Sequence, residues 1–426
     1  MSSRTYPGKA GQDGTIILEG GLGHGTTTFE THAADVMHRL RVAVEAIVHA
    51  LPGHVERASE LEKALKIAGT LAWKIMRLIG TEDRLCAAKF VPKPAALELF
   101  LKAAARAKVA PTLIESTRSA ASDFEGLERV HADDRSALET MLDDCAAEVD
   151  PQSMLAHKRA AFRANRHVWG LQAKTHLVAG LLQPSAEAGQ VDLAWICGHV
   201  DLCWLRASAR WVLSTSKLAD EDQQVRRAMA REPISDQPEV DGIPLLRRFC
   251  SEPLPQFQRV AVVPGVVHDE MLGNGLGNTA AVTYFTGEIT RSVGSAMRDE
   301  HNIHDEVGAN VNVPAEALIL DMFVREDTFG PIRPEVLVFR GTLDCRQFPF
   351  TEADQLHLGE SMTYLGKGLG RVYSRDVPRY PEMCEYVFDK LGWEAPRFDL
   401  HRCRVEYPIV PSTVVMRFER PERSPT

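Results

Sequence analysis

The apolar residues of this 426-residue chain change rhythm at Gly170. Upstream they recur every three to four positions. ADVMHRLRVAVEAIVHAL sets Val36, Leu40, Val44, Ile47 and Leu51 on one side of a helix, and Pro52-Gly53 stops it. Further helices are predicted for AALELFLKAAARA after Pro94, for PTLIESTRSAASDFEGLERV from Pro111, for DRSALETMLDDCAAEV and for PQSMLAHKRAAFRANRHVW from Pro151, because proline suits a first helical turn. Downstream, AKTHLVAGLLQP, QVDLAWICGHVDL, ARWVLSTS, QRVAVVPG, TAAVTYFTGEIT, ALILDMFVRE, PEVLVFRG and STVVMRFERP are bounded by Pro, Gly and polar residues, as strands are. KLADEDQQVRRAMAREPISDQPEVDG reads as a helix and then an exposed linker. The expectation is an α+β fold without regular βαβ alternation. It comprises a flexible N-terminal arm over residues 1–32, an all-helical domain with a helix-turn-helix over 33–168, a mixed α+β domain over 169–420 and a tail over 421–426.

Composition narrows the class. With 44% hydrophobic and 25% charged residues the chain has the makeup of a globular protein able to bury a sizeable core, and its length favours more than one domain. No uninterrupted apolar run reaches the roughly 18 to 20 residues of a membrane span, and MSSRTYPGKAGQDG lacks the apolar segment of a signal peptide, so a cytoplasmic protein is expected. The eight cysteines form no CxxC pair, which argues against a zinc finger or a thioredoxin-like site. A formal charge of -9 weighs against a protein that coats nucleic acid over its whole surface, while leaving room for a local basic face.

One such face lies in RASELEKALKIAGTLAWKIMRLIG, residues 57–80. Ser59 is placed to cap a first helix, with Glu62 completing a capping box and Leu61, Ala64 and Leu65 forming its buried side. Ile67, Ala68 and Gly69 form a compact turn. Thr70 caps a second helix in which Leu71, Ile75 and Leu78 recur on one face, leaving Lys74 and Arg77 outward and Trp73 at the rim. Between Asp35 and Gly80 seven basic residues stand against five acidic ones.

The segment resembles bacterial helix-turn-helix transcription regulators, whose signature runs Leu-Ala-x-x-Leu-Gly-Val-Ser before a recognition helix. The matching stretch is Leu61-Glu62-Lys63-Ala64-Leu65-Lys66-Ile67-Ala68, with Glu62 in a usually small apolar place and Lys66 in the usual glycine place. A weaker likeness to uncharacterised bacterial helix-turn-helix proteins runs through FVPKPAALELFLKAAARA and AAFRANRHVWGLQAKTHLVAGLLQPSA. The resemblance implies a regulator that binds double-stranded DNA through Thr70, Lys74 and Arg77, with Lys66 near the backbone and no cofactor. A homodimer is expected, because one short helix supplies limited affinity, and the C-terminal domain would sense a small-molecule effector or self-associate. The plainer alternative is two helices that simply pack in a bundle.

Other motifs carry less. GGLGHGTT has Thr26 where a P-loop needs lysine, and LGNGLGN lacks dinucleotide spacing. YLGKGLGRVYS offers loop glycines and basic residues that suit a phosphate. RDEHNIHDE gathers His301, His304, Asp305 and Glu306 in what is expected to be a solvated, charged loop after a helix; with His268 or Asp269 folded nearby they would make a divalent-metal site, and a metal-dependent enzyme is the alternative function. A non-catalytic assembly protein is the remaining rival. Asp321, among Ile319, Leu320, Met322 and Phe323, is expected to be a buried structural anchor. His157, His167, Trp169 and His176 lie at the junction of the two domains, where the histidines are expected to be satisfied core or surface groups; a small-molecule pocket, if the chain has one, is expected at this junction.

Overall fold

The computed structural model describes residues 29–83, 85–144, 151–217, 231–235, 242–263, 266–298, 303–341 and 350–422. The fold is mixed α+β, and the chain divides into two compact units, Met1–Val149 and Asp150–Thr426.

Every described element of the first unit is helical: α1 (Phe29–His49), α2 (Ala58–Leu65), α3 (Gly69–Gly80), a 3-10 turn at Cys86–Phe90, α4 (Pro94–Arg106), α5 (Pro111–His131) and α6 (Arg135–Asp144). The five residues predicted to share a helix face are all buried, four of them in α1 and Leu51 just beyond its end, in one core with Ile75 and Leu78 of α3 and Ile114, Phe124 and Leu127 of α5. Pro94 and Pro111 open α4 and α5, where the missing N–H costs no intrahelical bond. The expected N-terminal arm is too long at its end. Its first 28 residues lie outside the described ones, but α1 already includes residues 29–32, because Phe29 and His32 pack on the ring of His131 in α5.

The second unit opens with α7 (Pro151–Trp169), one helix earlier than the expected boundary at residue 169. Two contacts explain its place: Lys158 forms a buried ion pair with Glu360, and Phe162 rests on Tyr407 at 5.3 Å. There follow β1 (Leu171–Pro184), β2 (Gln190–Trp204), β3 (Trp211–Lys217), β4 (Arg231–Pro233), β5 (Gln256–Val263), β6 (Val266–Leu272), β7 (Val282–Ser295), β8 (His304–Val311), β9 (Ala315–Arg325), α8 (Glu326–Phe329), β10 (Glu335–Arg340), β11 (Met362–Lys367), α9 (Tyr380–Leu391), β12 (Phe398–Glu406) and β13 (Ser412–Glu419). Most of the expected helix and linker between β3 and β5 lies outside the described residues. Its Arg231–Pro233 portion is an edge strand on β7, a position that tolerates proline.

A seven-stranded sheet runs β11-β12-β9-β1-β2-β7-β4, parallel between β9 and β1 and antiparallel at its other joints. Ile319 and Phe323 of β9 face Tyr380, Met383, Val387 and Phe388 of α9. Leu318, Leu320 and Met322 face Val307, Val414 and Met416 of a second sheet, β10-β13-β8. Cover on both faces accounts for the unbroken run of buried residues from Ala317 to Val324 in β9. The third sheet, β3-β6-β5, is antiparallel. Gly198 marks the tightest joint of the large sheet, since a Cβ there would lie 2.1 Å from the Tyr284 carbonyl oxygen. Among the described residues no helix is long and apolar enough to cross a membrane.

Candidate functional site

α2 begins two residues upstream of the capping box read from Ser59 and Glu62. Arg57 is its N-cap, and the Glu60 carboxylate accepts the backbone N–H groups of Glu56 and Arg57 at 2.9 and 3.0 Å, which hold it below the usual glutamate range. Ser59 is thus inside the first turn. Glu62 instead reaches Gly69, where a Cβ would meet its carboxylate oxygen at 2.8 Å, so the negative charge sits at the positive N-terminal end of α3. Leu61 and Leu65 are buried, but Ala64, expected beside them, is exposed.

Three residues, Lys66 to Ala68, connect α2 to α3. Lys66 takes the left-handed conformation, φ 51° and ψ 47°, that glycine normally supplies at a helix C-terminus. Gly69 is helical rather than part of the turn, and Ala68, not Thr70, is the N-cap: its carbonyl accepts the N–H groups of Leu71 and Ala72.

α3 buries Leu71, Ala72, Ile75 and Leu78 in the helical core. Thr70, Trp73 and Arg77 are exposed, and Lys74 is half-buried. At i, i+4 and i+7, Thr70, Lys74 and Arg77 follow one side of the helix. Phe90 organises its outer end. Trp73 meets that ring edge-on at 5.5 Å, while the Arg77 guanidinium and the Lys89 ammonium lie 5.1 and 5.3 Å from its centre. The sequence reading missed Phe90 and Lys89 because the 3-10 turn that carries them has no helical period.

In the second unit Asp321 is fully buried on the α9 side of the sheet. Arg402 grips it with two hydrogen bonds of 2.7 Å, and the Tyr380 hydroxyl donates a third at 2.8 Å. Arg402 also donates to the carbonyls of Val372 and Tyr373. Such a satisfied ion pair is the expected anchor, fastening β9, β12, α9 and the segment before α9 together.

The junction histidines divide between surface and core, as expected of them. His157 and His167 are exposed on α7, and His176 is buried on β1. Its partner is His199, directly opposite on β2, with the rings stacked at 4.4 Å. The Tyr284 hydroxyl lies 2.8 Å from His199 Nδ1 and from the Trp211 indole nitrogen. Since Trp211 only donates, Tyr284 donates to His199 Nδ1, leaving the proton on His199 at Nε2. That atom and His176 Nδ1 have no hydrogen-bond partner. Burial pushes the His176 imidazole down to about 4 and holds His199 well below the ordinary range. Both rings are neutral near pH 7 and carry no charge to offer a substrate. The pair was legible in principle, because a hairpin turning between β1 and β2 sets these two histidines face to face.

Of the proposed metal ligands, His301 lies outside the described residues. His304 is exposed at the start of β8, in a strand where a charged loop was expected, because Val307, Ala309 and Val311 alternate into the core. His268 and Asp269 belong to a different sheet, and Asp269 already accepts from Ser214 and Arg259 at 2.7 Å each. Among the described residues no three His, Cys, Asp or Glu side chains are grouped to hold a metal ion. Comparison with protein-family models, curated proteins and solved structures found no match to this chain.

Proposed function

We propose that the chain is a double-stranded-DNA-binding regulator in which α2 and α3 form a helix-turn-helix and α3 enters the major groove. The observation that supports this reading is the division of α3: Leu71, Ala72, Ile75 and Leu78 are committed to the core, while Thr70, Lys74 and Arg77 line a neighbouring, outward side of the helix, roughly 120° around its axis, after a three-residue turn. Arginine and lysine on that side suit guanine edges and phosphates, and the Thr70 hydroxyl suits either. Lys66, exposed at the turn, is suited to a flanking phosphate. The resemblance to bacterial regulators over residues 57–80 points the same way. Homodimerisation would supply a second recognition helix, and the second unit would serve self-association or the sensing of a small-molecule effector.

The test is titration of a labelled mixed-sequence duplex with the full chain, followed by fluorescence anisotropy from low to physiological salt. Binding that weakens steeply as salt rises is the expected result. No binding at the lowest salt would overturn the proposal.

A further inference from the structure

Among the described residues, the segment between β11 and α9 pairs with no strand, and along it buried and exposed side chains alternate from Arg371 to Arg375. Val372, Ser374 and Val377 are buried, whereas Arg371, Tyr373 and Arg375 alternate with them and are exposed, Tyr373 at 71% and the Arg375 side chain at 79%. Two arginines of β12 fix this backbone. Arg402, already locked on buried Asp321, donates to the Val372 and Tyr373 carbonyls at 2.7 and 3.0 Å. Arg404 holds the Asp376 carboxylate at 2.7 Å, and Thr175 donates to the Asp376 carbonyl at 2.8 Å. The carboxylate nearest the strip is therefore engaged by Arg404, and its approach to Arg375 is a long 3.9 Å.

We propose that Arg371, Tyr373 and Arg375 form a binding strip for single-stranded nucleic acid. Lone surface aromatics are ordinary, but this one stands between two outward cations on a backbone that does not have to be ordered on binding. Residues two apart in a chain lie at most roughly 7 Å from each other, so the two guanidiniums can meet neighbouring phosphates while a base stacks on the phenol ring between them. A duplex offers no such face, because its bases are already stacked on their neighbours, and an acidic peptide would have no use for the ring. The glycine-flanked run YLGKGLGRVYS, read from sequence as a loop with basic residues suited to a phosphate, supplies Arg371 and Tyr373 of the strip. The proposal is independent of α3.

The experiment uses the full chain with fluorescein-labelled oligo-dT and oligo-U of about 15 nucleotides, a length that spans one such platform, read by anisotropy over a range of salt. Tyr373→Ala should weaken binding about tenfold and Tyr373→Phe should preserve it. Arg371→Gln with Arg375→Gln should lower the log–log salt slope by about 1.4. Lys74→Ala with Arg77→Ala should leave binding of these oligomers unchanged, which separates this strip from duplex binding by α3. Preference for dT or for U identifies the natural strand as DNA or RNA, and either supports the strip. Absence of binding at low salt would overturn it, as would affinity indifferent to Tyr373, or displacement by polyglutamate at matched charge. Thermal unfolding of each variant at the wild-type midpoint confirms that the exposed substitutions leave the fold intact.

Discussion

Asp321 has no contact with water, and its three hydrogen bonds come from Arg402 and Tyr380. Removing the carboxylate leaves the Arg402 guanidinium largely buried without its counter-charge, so Asp321→Ala should destabilise the second unit by about 3 to 5 kcal/mol in urea unfolding. A loss below 1 kcal/mol would mean that Arg402 relaxes into solvent. The stacked histidines set a pH dependence instead. Burial lowers His176 from the ordinary histidine value to about 4, so the unfolded chain binds the extra proton first as pH falls. The contribution to stability is complete above pH 6.5 and is lost as pH falls from there toward 4, amounting to about 3 kcal/mol. The urea midpoint should drop between pH 7.5 and pH 5, and His176→Phe should flatten that drop. Both effects depend on partners far away in sequence, and for that reason only half of each was legible. Asp321 announces itself as an acid in an apolar strand, whereas Arg402 looks like an ordinary surface arginine until β12 pairs with β9.

At the scale of elements, helices α4, α5 and α7 begin at the prolines that predict them, because proline N1 and the 3.6-residue period are local signals. Strands β8 and β12 were not legible: their polar residues, His304 to Glu306 and Arg402 to Arg404, become strand positions through pairing and ion pairs across the sheets. The turn between α2 and α3 was legible in place but not in detail. Its left-handed residue is Lys66, three positions before the glycine to which the turn was assigned. Left-handed backbone costs a residue with a Cβ about 1 to 2 kcal/mol. Lys66→Gly should therefore stabilise the first unit by about 0.5 to 1 kcal/mol, once the greater freedom of glycine in the unfolded chain is deducted. The same substitution should weaken duplex binding if Lys66 meets a phosphate. A thermal midpoint that falls would contradict the strain.

For the whole molecule, a net charge of -9 makes the distribution of cations more informative than their sum. Cationic groups on α3 and its neighbouring turn gather around Phe90, and others flank Tyr373 in the second unit. The first grouping was half legible, since Lys74 and Arg77 follow from helical spacing whereas Lys89 and Phe90 arrive from outside the motif. The second was legible only as a basic glycine-flanked loop, because what makes it a surface is the anchoring of its backbone by β12. An acidic body with local basic faces would repel nucleic acid everywhere else and so help to orient it. The most direct measurement of the account is the salt slope of duplex binding for the full chain and for Lys74→Ala with Arg77→Ala. The slope should fall by about 1.8 in the double variant, with affinity reduced across all sequences. An identical slope and affinity in the two proteins would contradict the assignment of α3 as the DNA-contacting helix.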